Sequence, residues 1–396
     1  MNIIQLIISI IILISSGYIL GQLFNKLNLP SLIGMIIAGI IIGPNILNLI
    51  NINILNYSKY LRTFALIIIL LKAGLTLNYN DLKKIGRPAL LLSFIPATLE
   101  LLTITYFGPL LLNITYIESL LLGSVLAAVS PAVVVPKMVA LIEENYGTKK
   151  AIPQMILAGS TIDDVYVITL FSSFLLLNTS NTFNASSLLN VPISIIIGIV
   201  FGILLGTILS KLFNYIKLNN YVYVFILLLT SFSLYLLEEY DIVMFASLLS
   251  IMFIGIIINN NSNTLASNLT SLFSKLWKLF QIILFVLVGA SVNIEFAFSA
   301  GVNVIILIFI ALIFRLLSVF ICLIKTDFNV KERLFAGISY LPKATVQAAL
   351  GPIALSVGLA CGNLVLTISV VSILITAPLG AILMDLTYKK LLTKDI

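Results

Sequence analysis

Apolar stretches of about twenty residues follow one another along the whole chain, and no other feature limits the fold as strongly. A helix of that length crosses a hydrocarbon core about 30 Å thick, and in lipid only helices and closed barrels satisfy every backbone polar group. The runs lie at about 3–23, 31–50, 59–77, 88–112, 119–141, 153–177, 192–210, 221–237, 242–258, 276–293, 302–324, 334–357 and 364–386. They predict roughly thirteen transmembrane helices. Of the 396 residues, 60% are hydrophobic and only 9% charged, with a mean hydropathy of +1.18, so no stretch remains for a water-soluble domain. The first run lacks the basic lead-in and small-residue cleavage site of a signal peptide and reads as a permanent span. The expectation is an all-α integral membrane protein, with one membrane domain over residues 1–396.

The cations set its orientation. With the N-terminus outside, sixteen of the 22 Lys and Arg residues fall in inner loops or the C-terminal tail. Only Lys59 and Arg62 fall outside, and Lys72, Lys137, Arg315 and Lys343 fall within spans. This positive-inside bias places the C-terminus in the cytoplasm and accounts for the net charge of +7 without a nucleic-acid partner. The lipid bilayer is the implied surrounding, and the plasma membrane the expected location. Cys322 and Cys361 lie in or beside different spans and suggest no disulfide framework. The chain has no histidine, which removes the usual zinc ligand and most catalytic triads. Neither an enzyme nor a bound cofactor is expected.

The segment "GSTIDDVYVIT" (159–169) sets two aspartates side by side inside a span. Counting 1.5 Å per residue puts Glu100, Asp163, Asp164, Arg315 and Lys343 all roughly 13 to 18 Å deep, near the middle of the bilayer. Charges at that depth are costly and mark function by default. Lys72 and Lys137, nearer span ends, are expected to snorkel to the interface. Two of the spans also contain helix breakers. "AAVSPAVVVPKM" (127–138) holds Pro131 and Pro136, and "SYLPKATVQAALGP" (339–352) holds Pro342 and Pro352. Each proline removes a donor and frees a carbonyl one turn earlier. Prolines at matching depth in antiparallel spans predict inverted repeats with two unwound helices crossing at the midplane, with Lys343 offsetting exposed carbonyls. Unwound backbone beside paired carboxylates makes a cation site.

"LPSLIGMIIAGIIIGP" (29–44), "AVSPAVVVPKM" (128–138), "GSTIDDV" (159–165) and "SYLPKATVQAALG" (339–351), taken in order, resemble the cation:proton antiporter superfamily, and most its NHA branch of sodium/hydrogen exchangers. The resemblance implies a homodimer of thirteen-helix subunits and elevator-like movement of a core domain against a dimerisation domain. Core helices would span about 88–177 and 302–386, and dimerisation helices about 1–77 and 192–293. Asp164 matches the carboxylate that binds cation and proton in turn, and Asp163 its less strictly required neighbour. Ser160, one turn before Asp164, and Ser130, at the break, are candidate oxygen ligands. Glu100 and Arg315 match an intramembrane acid and base of that branch. In "GASVN" (289–293), Ser291 stands where an acidic partner for Lys343 is expected, which leaves the partner of Lys343 unassigned.

Burial penalises a charged carboxylate, so a proton and a hard cation compete for Asp164. Oxygen ligands favour Na+ or Li+, and the expected function is Na+(Li+)/H+ antiport, with K+/H+ antiport on the same fold as the alternative. An intramembrane aspartyl protease needs its aspartates to face each other from different helices, whereas neighbours on one helix point about 100° apart. A cation channel would need a ring of oxygens around an open pore. For paired aspartates the resemblance implies electrogenic exchange, in which an intramembrane lysine often carries the second proton; Arg315 stands at that position and cannot release a proton, which favours electroneutral exchange. An Arg315–Glu100 salt bridge is predicted, leaving both aspartates free.

Overall fold

The computed structural model describes residues 3–27, 29–76, 79–179, 185–216, 218–240, 245, 247–292 and 301–395. The expectations that fall on Lys217 and Asn293 lie outside them, as do the side chains of Lys59, Lys83, Lys84 and Pro136. Sixteen helices occur among the described residues. They are α1 (Ile3–Lys26), α2 (Ser31–Ile42), α3 (Ile52–Asn56), α4 (Ser58–Thr76), α5 (Tyr79–Leu112), α6 (Tyr116–Leu126), α7 (Pro131–Glu143) and α8 (Ile152–Thr179), then α9 (Ala185–Tyr215), α10 (Asn220–Glu239), α11 (Ser247–Asn261), α12 (Asn263–Ala290), α13 (Gly301–Cys322), α14 (Val330–Ser339), α15 (Thr345–Ser356) and α16 (Gly362–Leu391). Eight of these are long and apolar enough to cross a membrane, and α2, α6, α7, α11 and α15 are shorter apolar helices. The protein is an all-α membrane protein.

Two predicted spans are interrupted. The stretch 119–141 divides into α6 and α7, and the stretch 334–357 into α14 and α15. Each begins with a capping box, Thr115 with Glu118 and Asn329 with Glu332, which satisfies the first orphan N–H groups of the helix. The first break falls before Pro131, which occupies the opening position of α7, where a missing N–H costs nothing. Pro136 is not a break, for the α7 backbone continues through it, and Pro352 likewise lies inside α15. Pro342 does lie in the second break, and its carbonyl accepts the N–H of Ser130 at 2.8 Å. That bond fastens one break directly to the other.

The chain divides into two compact units. One comprises Met1–Lys59, Ile85–Val167 and Ile282–Ile396, the other Tyr60–Lys84 and Ile168–Gln281. In the first, α2 crosses the end of α12 almost backbone to backbone. A Cβ on Gly39 would stand 2.0 Å from the Val286 carbonyl oxygen, and one on Gly289 would stand 2.1 Å from that of Ile36. Only glycine permits this approach, and small residues at helix contacts are how apolar helices associate in lipid. In the second unit, Phe64 packs against Phe232 and Phe280 with ring centroids 6.3 and 5.1 Å apart, and Ser250 Oγ donates to the Gly198 carbonyl at 2.7 Å.

The segment after α16 is strapped to the turn joining α7 and α8. Gly147 N–H donates to the Thr393 carbonyl at 2.9 Å, Asp395 N–H donates to that of Asn145 at 2.7 Å, and Tyr146 and Lys394 pair antiparallel. Asp395 Oδ2 accepts from the Lys149 N–H at 2.6 Å and the Thr148 hydroxyl at 2.9 Å. The Lys149 N–H, with help from Thr148, holds the Asp395 carboxyl below its ordinary range. A depressed carboxylate contributes stability above its unfolded value and loses it as pH falls through the folded one. Protection of the Lys149 amide, its exchange rate measured against the intrinsic rate at the same pH, is therefore expected to be high at neutral pH and to fall in acid. Asp395→Ala should lower that protection at both. Exchange in that variant matching the parent would refute the strap.

Lys137, expected to snorkel towards the interface, pairs with the exposed Asp385 at 2.5 Å and lies 4.0 Å from the centre of the Tyr388 ring.

Candidate functional site

The two breaks and the middles of α5, α8 and α13 converge, all within the first unit. The cause is local: at Ala127–Ser130 the helix ladder stops, and its donors and acceptors find other partners. The Val125 carbonyl would ordinarily accept from Val129, but Val129 N–H donates to Asp163 Oδ2 at 2.8 Å. The Leu126 carbonyl loses Ser130 N–H to Pro342 and accepts Lys343 Nζ at 2.5 Å. Pro131 has no N–H for the Ala127 carbonyl, which takes Arg315 Nη1 instead. Carbonyls at the C-terminal end of α6 thus meet cations, while a carboxylate meets the N-terminal side of α7, as the helix dipoles favour.

Five ionisable groups meet there. Arg315, fully buried on α13, donates through Nη1 to Glu100 Oε2 at 2.6 Å, through Nη2 to Asp163 Oδ2 at 3.1 Å and through Nε to the Tyr340 carbonyl at 2.7 Å. The Arg315–Glu100 bridge is present as predicted. The accompanying expectation that both aspartates stay free needs correction, because the guanidinium fork reaches Asp163 as well. Its planar donors serve several acceptors at once. Lys343 Nζ lies 2.6 Å from Glu100 Oε1, so Glu100 serves two cations and is the partner that the sequence left unassigned. Ser291, standing where an acid was expected, donates to the Leu287 carbonyl of its own helix at 2.8 Å.

Asp164 differs from its neighbour. It is partly exposed, and its Oδ1 is a buried oxygen with no hydrogen-bond partner among the described residues. The Ser130 hydroxyl, also fully buried, has none either, nor has Asp163 Oδ1. Ser160 Oγ donates back to the Leu157 carbonyl at 3.0 Å, which leaves its lone pairs available. Two contributors escaped the sequence reading. Gln347 is fully buried with Nε2 against the Val125, Leu126 and Ala128 carbonyls, and its signal was a lone amide one turn after Lys343 in an apolar run. The Tyr340 carbonyl, an acceptor for Arg315, left no side-chain signal.

Buried acids and bases gathered around two fastened helix breaks are the architecture of a secondary carrier built on interrupted helices. A family model described as "Sodium/hydrogen exchanger, transmembrane" matches residues 10–386. Sodium/hydrogen exchanger 9B1 of Mus musculus is 36% identical across 93% of this chain and 67% of its own length. Sodium/hydrogen exchanger 9B2 of Homo sapiens is 32% identical across 97% of this chain and 75% of its own. The fold is similar to that of the sodium proton antiporter MjNhaP1 from Methanocaldococcus jannaschii at pH 8, with a TM-score of 0.85, 22% identity, and 98% and 99% of the two chains covered. The chain belongs to the sodium/hydrogen exchanger family. It is a cation/proton antiporter, a transporter rather than an enzyme.

Proposed function

We propose that the chain exchanges Na+ or Li+ for protons, both binding in turn at Asp164. The observation that carries this reading is the charge balance at the crossing. Glu100, Asp163 and Asp164 face Arg315 and Lys343, and among the described residues every ion pair there joins the first two acids to the two bases. Asp164 remains as one uncompensated negative charge. A single proton or a single monovalent cation neutralises it, and burial makes the empty charged state costly to move. Asp163, Ser130 and Ser160 supply further oxygens, a donor set suited to a hard cation.

Exchange then follows from obligation: the site crosses only when Asp164 is neutralised, so the two gradients are coupled. One charge replaced by one charge gives electroneutral exchange, and Arg315, permanently cationic, carries no second proton. In this reading a homodimer moves core helices at about 88–177 and 302–386 against scaffold helices at about 1–77 and 192–293. The N-terminus faces outside and the C-terminus the cytoplasm of the plasma membrane, supported by the distribution of basic residues.

The test is cation-driven proton movement in proteoliposomes, followed with a pH-sensitive dye. The apparent sodium constant is expected to rise as pH falls, because the proton competes for the same oxygen. A constant that stays flat between about pH 6 and 8.5 would separate the two sites. Activity with K+ but not Na+ or Li+ would assign the potassium alternative. A rate that changes clearly under an imposed membrane potential would overturn electroneutral exchange.

A further inference from the structure

The Ala128–Val129 peptide is gripped from both ends. Its carbonyl accepts Gln347 Nε2 at 2.9 Å, and its N–H donates to Asp163 Oδ2 at 2.8 Å. The peptide is trans, so its C=O and N–H point in opposite directions, and a hold on one end sets the aim of the other. The amide of Gln347 has one workable orientation. Turning it over would set Oε1 against the carbonyl oxygens of Val125, Leu126 and Ala128, none of which can donate. A donor on the carbonyl also strengthens the N–H of the same peptide as a donor. Among the described residues, the Val129 N–H and the Arg315 guanidinium are the two groups that hold Asp163.

We propose that Gln347 is a positioning residue for the aspartate pair: through this one peptide it fixes Asp163 Oδ2, and with it the geometry beside Asp164. The proposal rests on the reading of Asp163 and Asp164 as the transport site. Gln347 touches neither aspartate and binds no ion in this account. It acts through the break, which is why an uncharged amide stands one turn after Lys343 with its oxygen unpartnered.

Gln347→Met keeps the length and removes the donors. In the purified exchanger, hydrogen exchange at the Val129 amide is expected to accelerate about ten-fold. The apparent sodium constant should rise roughly three- to ten-fold, the scale of one lost hydrogen bond, with the maximal rate within about two-fold. A residue that merely packs would lower the yield of folded protein or the rate and leave that constant in place. Gln347→Asn withdraws the amide by one methylene, and is expected to give a smaller change of the same kind should the Met variant not fold. Combined with Asp163→Ala, which frees the Val129 N–H by itself, Gln347→Met should add nothing further to exchange at that amide. Additive acceleration, or unchanged Val129 exchange in both Gln347 variants, overturns the proposal. Faster Val129 exchange in the variants, beside a parent protein that itself moves no cation, would support the contact and overturn the transport reading instead.

Discussion

Asp164→Asn is expected to reduce cation-driven proton movement to the level of empty liposomes while leaving a folded, membrane-inserted protein. Asparagine keeps the shape of the side chain but can neither release a proton nor present a negative charge. The fold should tolerate it, because Asp164 is partly exposed and its Oδ1 holds no hydrogen bond in the structure. Removing a buried charge that has no partner strands no opposite charge, so the variant is expected to unfold at a temperature no lower than the parent does. Measuring transport and thermal unfolding on the same preparation separates the two effects. Persistent sodium-driven exchange in the variant would remove Asp164 from the mechanism, whereas loss of transport together with loss of folding would place it in the structure instead.

Glu100→Gln is expected to be among the most destabilising single substitutions in the chain. Glu100 is fully buried and holds Arg315 at 2.6 Å with one oxygen and Lys343 at 2.6 Å with the other. Removing one partner of a buried pair costs about 3 to 5 kcal/mol, chiefly because a charge is stranded. Here two cations lose their shared carboxylate. Arg315 retains Asp163 and two carbonyls, and Lys343 retains only the Leu126 carbonyl. Glu100→Gln combined with Arg315→Gln should recover part of the thermal stability, since one stranded charge then disappears. A double variant no more stable than the worse single one would show that the groups do not act as a pair. The buried Trp277 provides a fluorescence signal for unfolding.

Much of this was readable in the chain. A run of about twenty apolar residues spans a bilayer whatever its neighbours do, so the helical membrane class followed from the length and number of such runs. The burial cost of ions singled out Glu100, Asp163, Asp164, Arg315 and Lys343, because so few residues of their kind can sit at that depth without a purpose. Pairing Glu100 with Arg315 followed from depth and the antiparallel run of two spans. Proline chemistry located the broken spans, although only the backbone distinguished Pro131, which opens a helix, from Pro136, which lies inside one.

What tertiary structure decided is who holds whom. A sequence gives the depth of a side chain but not its direction around the helix axis, and two residues at equal depth can face opposite ways. Glu100 reaching Lys343, Arg315 reaching Asp163 beyond Glu100, and Gln347 closing on the open end of α6 all depend on rotations and crossing angles set by packing. Packing there is as close as Gly380 against Pro342 at the second break, where a Cβ would stand 2.3 Å from the proline ring, and local patterns do not encode it. Backbone partners were hidden for a further reason. The Val129 N–H, the Tyr340 carbonyl and the Pro342 carbonyl belong to groups present at nearly every residue, and only an interrupted helix, held open by its neighbours, turns them into parts of a site.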